Sequence, residues 1–170
     1  KGLVILLLSY FAIGAVSLSE LKRRFPLELV VIVGSALCLA TLMIDTGLAK
    51  NLADGVISVF NGYGVFAAFV GVFFITLIVT ELITNNAAAA LAFPVAYAVA
   101  TSYGVDPRPF IMAVVFGASA SFISPYGYQT NLMVYNAGNY KLSDFVRVGL
   151  PLSVVYSLTV IFAVPYFFPF

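Results

Sequence analysis

The sequence predicts an all-α membrane protein that crosses the bilayer several times. Of its 170 residues 62% are hydrophobic and 9% charged, and mean hydropathy is +1.08. A soluble domain carries about 25% charged residues, because its surface needs polar cover. Apolar runs near the ~20 residues of a helical span alternate with short polar turns rich in Gly, Pro and Asn. There are no histidines or tryptophans, and Cys38 is the single cysteine. Intrachain disulfides, thiolate–imidazole metal cages and histidine acid/base chemistry are thereby excluded. A net charge of +1 gives nucleic acid no basic stripe to bind. Transport, channel function, lipid chemistry and scaffolding remain.

The chain begins at Lys1 and is apolar by Leu3, which reads as a piece of something longer. The first run, Leu3 to Val16, is short for a span. Ser17 and Glu20 have capping-box spacing, so a short surface helix would carry Lys22-Arg23-Arg24 and stop at Pro26. Leu27 to Gly47 is a second run, with Glu28 and Asp45 near its ends. From Gly47 to Gly64, Lys50, Asn51, Asp54 and Asn61 alternate with Leu52, Val56, Ile57 and Val59. This is the pattern of an amphipathic segment in the membrane interface.

Val65 to Tyr103 is a long run broken by Glu81 and Thr84-Asn85-Asn86. Its first arm, Val65 to Ile83, would be about 28 Å long as a helix, and its second, Ala87 to Tyr103, about 25 Å. Two ordinary spans joined by a surface turn would give this pattern. So would a re-entrant hairpin with its tip inside the membrane. The turn has no Lys or Arg, and Ala87-Ala88-Ala89-Ala90 permits close backbone approach; both features suit the hairpin, but local residues leave the two readings open. The turn Gly104 to Pro109 follows, with Asp106 placed as N-cap and Pro107 at the first helical position of the next helix.

That helix is expected over Phe110 to Phe122. It breaks at Ser124-Pro125-Tyr126-Gly127-Tyr128-Gln129-Thr130-Asn131 and resumes over Leu132 to Tyr135. Neither apolar piece spans a membrane alone, so a discontinuous transmembrane helix is the better account. Gly117 and Ser121 would form a small-xxx-small packing pair. After the turn Asn136 to Asn139, a polar lead with Lys141, Asp144 and Arg147 enters the last run, Val148 to Phe170. Placing Lys22 to Arg24 in the cytoplasm puts Lys141 and Arg147 there too, with Lys1, Lys50 and Arg108 opposite and the C-terminus outside.

Two Gly/Pro- or Asn-interrupted apolar segments point to the binding site of a secondary transporter. Broken helices expose carbonyls that coordinate cations and N-termini that attract anions. The amide oxygens of Asn85 and Asn86 and the Thr84 hydroxyl are hard ligands of the same kind. Glu81 is the one carboxylate deep in an apolar run. It suits a cation or proton role, although a structural hydrogen bond to the opposite break is preferred. Tyr126 and Tyr128 sit in the break and could face substrate. No phosphate loop, heptad or nucleophile motif is present, so neither an enzyme nor an organic cofactor is expected.

At these breaks the sequence resembles the divalent anion–sodium symporters, the citrate, dicarboxylate and sulfate carriers. The match is to their C-terminal inverted repeat, over roughly Pro26 to Phe170. Thr80-Glu81-Leu82-Ile83-Thr84-Asn85-Asn86-Ala87 is similar to the family's hairpin tip. Gly117 to Phe122, continuing through Pro125 to Val134, resembles its unwound helix, and Asp144 to Gly149 the lead into the last helix. The resemblance implies a re-entrant helical hairpin and a discontinuous transmembrane helix in an inner-membrane protein. It implies a Na+ site from Thr80, Asn85 and the backbone at Gly127. It also implies anion contacts from Thr84, Asn85, Asn86, Tyr128 and Gln129, supported by Glu81, Ser119, Thr130 and Asn131. Na+ would be the only metal and the coupling ion, and a small anion the substrate. The tip reads Thr-Asn-Asn where Ser-Asn-Thr is usual, and Tyr128-Gln129 replaces Thr-Pro, so sulfate is as well suited as dicarboxylate. The family builds its site from two repeats. This chain would therefore be one half, paired with an N-terminal repeat and homodimeric when complete. The rival readings are a Na+/H+ antiporter or arsenite carrier using Glu81, and a membrane scaffold subunit.

Overall fold

The computed structural model describes residues 2–14, 17, 19, 23, 25, 27–60 and 62–170, and among these there are helices and turns but no strand. Lys1, the capping-box glutamate Glu20, Lys22 and Arg24 of the basic triplet, Pro26 and Asn61 lie outside the described residues. The chain divides into two compact units, Lys1–Ile32 and Val33–Phe170. The first holds helix α1 (Gly2–Ala12) and the first turns of α2 (Leu27–Asp45).

The second unit contains the rest of α2 and all later helices. After Gly47, which turns the chain at a φ of 73°, α3 (Leu48–Val59) runs as an amphipathic helix with Ala49 and Ala53 buried. Residues Val30–Asp45 and Leu48–Val59 meet at a 74° bend, so the two could form one broken span. Helix α4 (Gly64–Leu82) follows, then α5 (Asn85–Tyr103), α6 (Arg108–Ala118), α7 (Gln129–Ala137) and α8 (Leu142–Phe167). Among the described residues, α4 and α8 are each long and apolar enough to cross a membrane, with the bent pair a third. At 1.5 Å per residue, the 26-residue α8 is about 39 Å long.

Helix α4 is apolar all round, as a helix packed between protein and lipid must be. Its buried stripe, Phe69, Val72, Phe73, Thr76 and Thr80, repeats at helical spacing and packs chiefly on α6. Phe69, Phe110 and Phe170 form an aromatic triangle with centroids 5.6–6.1 Å apart, tying α4, α6 and the chain end together. The many exposed Leu, Val and Phe side chains on α2, α4 and α8 are ordinary for a surface bathed in lipid.

Three boundaries differ from expectation. Helix α6 starts at Arg108, one residue late, with Pro107 at the N-cap; Asp106 still accepts the Arg108 N–H at 2.9 Å. The Arg108 side chain, hydrogen-bonded to the same carboxylate, holds it below its usual pKa. Second, α6 ends at Ala118, four residues before Phe122. Third, α7 begins at Gln129, so Gln129, Thr130 and Asn131 belong to a helix and the break is Ser119 to Tyr128. Ser121 therefore has no place in a helical small-xxx-small pair. Gly117 keeps its packing role: a Cβ there would lie 3.1 Å from the Phe73 carbonyl and Thr76 Cβ.

The reason lies on α4. A helix continuing through Phe122 would bond its N–H to the Ala118 carbonyl. That carbonyl instead accepts the Thr80 hydroxyl at 2.7 Å. Glu81, the next residue on α4, takes the N–H groups of Phe122, Ile123 and Ser124 at 2.9, 2.9 and 2.7 Å. Two neighbouring α4 side chains thus claim both sides of the helical ladder and hold the chain open.

Candidate site where the two breaks meet

The α4–α5 connection is only Ile83 and Thr84. Thr84 adopts an extended conformation as the α5 N-cap and its hydroxyl accepts the Ala87 N–H at 3.4 Å. This tight tip does not stand free. Thr80 and Asn85, on either side of it, both reach the break between α6 and α7.

The Asn85 amide sits 2.8 Å from Thr80 Oγ1 and 3.1 Å from the carbonyl oxygens of both Ala118 and Gly127. The two ends of an amide have the same shape and opposite polarity. With Nδ2 inward, Asn85 faces all three oxygens as a donor. With Oδ1 inward, it and the Ala118 carbonyl compete for the one Thr80 proton, at 2.8 and 2.7 Å, and four oxygens face one another. The first arrangement satisfies the oxygens without an ion. The second offers a hydroxyl, an amide oxygen and two carbonyls, the uncharged hard donors that suit an alkali cation.

Gly127 is required for this convergence. A Cβ on it would lie 2.1 Å from Ser121 Oγ and 2.3 Å from the Thr80 carbonyl oxygen, so no side chain fits. Gly149 serves the same end from α8, where a Cβ would fall 2.1 Å from the Phe122 carbonyl oxygen. Tyr156 of α8 donates its hydroxyl to the Phe116 carbonyl at 3.0 Å, satisfying an acceptor at the frayed end of α6.

Thr80, Asn85 and Gly127 therefore come together. Glu81 has both carboxylate oxygens engaged by backbone N–H groups of the break. Asn131 also supports the break, its Nδ2 donating to the Ser121 carbonyl at 2.9 Å. Thr84, Asn86, Tyr128, Gln129 and Thr130 are exposed around the tip and the α7 N-terminus. Ser119 is elsewhere: it is exposed and its hydroxyl bonds back to the Val115 carbonyl at 2.9 Å. The Ala118 carbonyl has no signature in the sequence, since a backbone atom has no letter of its own. Ser121 reads locally as packing, although a hydroxyl beside a helix break is a usable signal. Among the described residues no cluster of three His, Cys, Asp or Glu could hold a metal.

The profile of the citrate transporter family matches residues 2–170. The chain belongs to the citrate transporter family. That membership bears out the likeness to divalent anion–sodium symporters. Proteins similar to it include a candidate sulfur deprivation response regulator of Chlamydomonas reinhardtii, 36% identical over 98% of this chain and 28% of that protein. Sodium/sulfate cotransporter 1 of the same organism is 34% identical over 83% of this chain and 16% of its own length. An uncharacterised transporter of Synechocystis sp. is 36% identical over 85% of this chain and 24% of its own. The chain thus spans less than a third of each of these relatives.

Proposed function

We propose that this chain is the C-terminal inverted repeat of a sodium-coupled carrier for a small divalent anion, sulfate ahead of dicarboxylate, working by alternating access. The observation that carries the reading is the meeting of the Asn85 amide with the Thr80, Ala118 and Gly127 oxygens where the two breaks touch. Neutral oxygens bind Na+ reversibly, whereas a carboxylate cage would favour divalent ions. Sulfate comes first because two similar proteins are named sodium/sulfate cotransporters.

The anion would sit beside the ion. Helices α5 and α7 both begin at the breaks, at Asn85 and Gln129, and the Asn85 side chain reaches the Gly127 carbonyl. Free N–H groups at helix N-termini attract anions, and Thr84, Asn86, Tyr128 and Gln129 surround them. With Oδ1 on Na+, Nδ2 of Asn85 turns outward as a further donor, so the ion prepares the anion site. In this reading the hairpin is re-entrant, with its tip at membrane depth. Lys22 to Arg24, Lys141 and Arg147 face the cytoplasm at the inner membrane, and the C-terminus lies outside. A second repeat completes the site, and the full protein is a homodimer.

The antiporter reading is disfavoured because both Glu81 oxygens are occupied by backbone N–H groups. The test is uptake by the full-length protein in liposomes, with radiolabelled sulfate, succinate and citrate offered in turn. An inward Na+ gradient should drive uptake of one of them, and choline should not replace Na+. Uptake driven equally well without Na+, or Na+ efflux driven by a proton gradient alone, would overturn the reading.

A further inference from the structure

We propose that the Ser121 hydroxyl is an additional cation ligand that tunes ion affinity and selectivity, an inference that rests on the Na+ site just described. Ser121 is 4% exposed and its Oγ has no hydrogen-bond partner. Buried hydroxyls are almost always hydrogen-bonded, so one without a partner needs an explanation. Its surroundings provide one. The Oγ lies 2.1 Å from the point a Gly127 Cβ would occupy, and the Thr80 carbonyl oxygen lies 2.3 Å from that same point. The two oxygens share the bare face of Gly127, yet Ser121 makes no hydrogen bond to its neighbour.

Thr80 and Gly127 also belong to the oxygens gathered around the Asn85 amide, through Thr80 Oγ1 and the Gly127 carbonyl, and with Asn85 Oδ1 turned inward they make a four-oxygen cluster. Ser121 and the Thr80 carbonyl therefore extend that cluster around Gly127. Four protein oxygens fall short of the 6–8 that a hard cation of calcium's size gathers, and a hydroxyl with unused lone pairs is the right addition. The residue is also held in place. Its own carbonyl accepts Asn131 Nδ2 at 2.9 Å, and the next residue, Phe122, is bonded to Glu81. Backbone restraint on both sides leaves the side chain as the free polar element. In the ion-loaded site Ser121 turns its lone pairs to the cation and its proton toward the Thr80 carbonyl.

The experiment is thermal melting of the full-length protein, titrated with NaCl against choline chloride, for wild type, Ser121→Ala and Ser121→Cys. The cysteine variant keeps the side-chain shape, slightly enlarged, but replaces a hard oxygen by sulfur, a poor ligand for hard cations. Both variants should need roughly tenfold more Na+ for half-maximal stabilisation, about 1.4 kcal/mol of binding free energy, and should discriminate Na+ from Li+ less well. If either folded variant shows the wild-type Na+ midpoint, Ser121 is not a ligand and the proposal falls, while the Na+ site stands. If wild type itself gains no stability from Na+, the underlying Na+ reading falls first. Should Ser121→Ala fail to fold, Ser121→Cys alone decides.

Discussion

The carboxylate of Glu81 accepts the backbone N–H of Phe122 at 2.9 Å, across 41 residues of chain. With the bonds to Ile123 and Ser124 it replaces three helical hydrogen bonds by one side chain. Glu81→Gln keeps the shape but turns an NH2 group toward backbone donors. It should lower stability by about 2–3 kcal/mol, the scale of one or more charge-assisted hydrogen bonds. Thermal melting of purified protein checks this, and a variant that melts with wild type would show that the bonds are not made.

Gly127→Ala should be more damaging than an exposed Gly→Ala change. Its Cβ would meet Ser121 Oγ and the Thr80 carbonyl oxygen at 2.1 and 2.3 Å, and a carbonyl cannot rotate away as a side chain can. Overpacking of this kind costs about 1–3 kcal/mol. Na+-dependent stabilisation should fall with it, because the clash pushes away Gly127, whose own carbonyl belongs to the cluster. Wild-type Na+ response in Gly127→Ala would mean that the two segments are not in contact.

Much of this was legible in the sequence, and the reason is chemical. Asparagine, glycine and proline inside apolar runs are costly in lipid, so both breaks could be placed from composition alone. The edges of the second break could not. Gly117 to Phe122 has nothing against helix locally, and α6 stops at Ala118 because Thr80 and Glu81 arrive from 38 and 41 residues away. Long-range competition for backbone groups leaves no periodicity to read. The same holds for the Ala118 carbonyl, whose availability depends on where the helix ends.

Tyr156→Phe removes one of two donors to the Phe116 carbonyl, which keeps the Ser119 N–H at 3.2 Å, and leaves the ring in place. A loss of about 1 kcal/mol is expected, read as a small drop in melting temperature with unchanged Na+ response. Gly149→Ala, which drives a Cβ against the Phe122 carbonyl at 2.1 Å, should weaken both stability and Na+ response. Identical behaviour of the two variants would argue against α8 positioning the break.

The depth of the hairpin tip is open to labelling. In a Cys38→Ser background, a cysteine replacing Asn86 should react slowly with a membrane-impermeant maleimide, and Na+ with sulfate should slow it further. Rapid labelling from the cytoplasm, indifferent to both ions, would identify a surface turn and support the scaffold reading.

The central claim is that the hairpin tip and the broken helix build one cation site around Asn85. Equilibrium binding of radioactive Na+ to purified full-length protein, wild type beside Asn85→Ala, tests it most directly. Saturable binding should be present in wild type and lost, or weakened at least a hundredfold, in a variant that still folds. Saturable binding of unchanged affinity in Asn85→Ala would contradict the account.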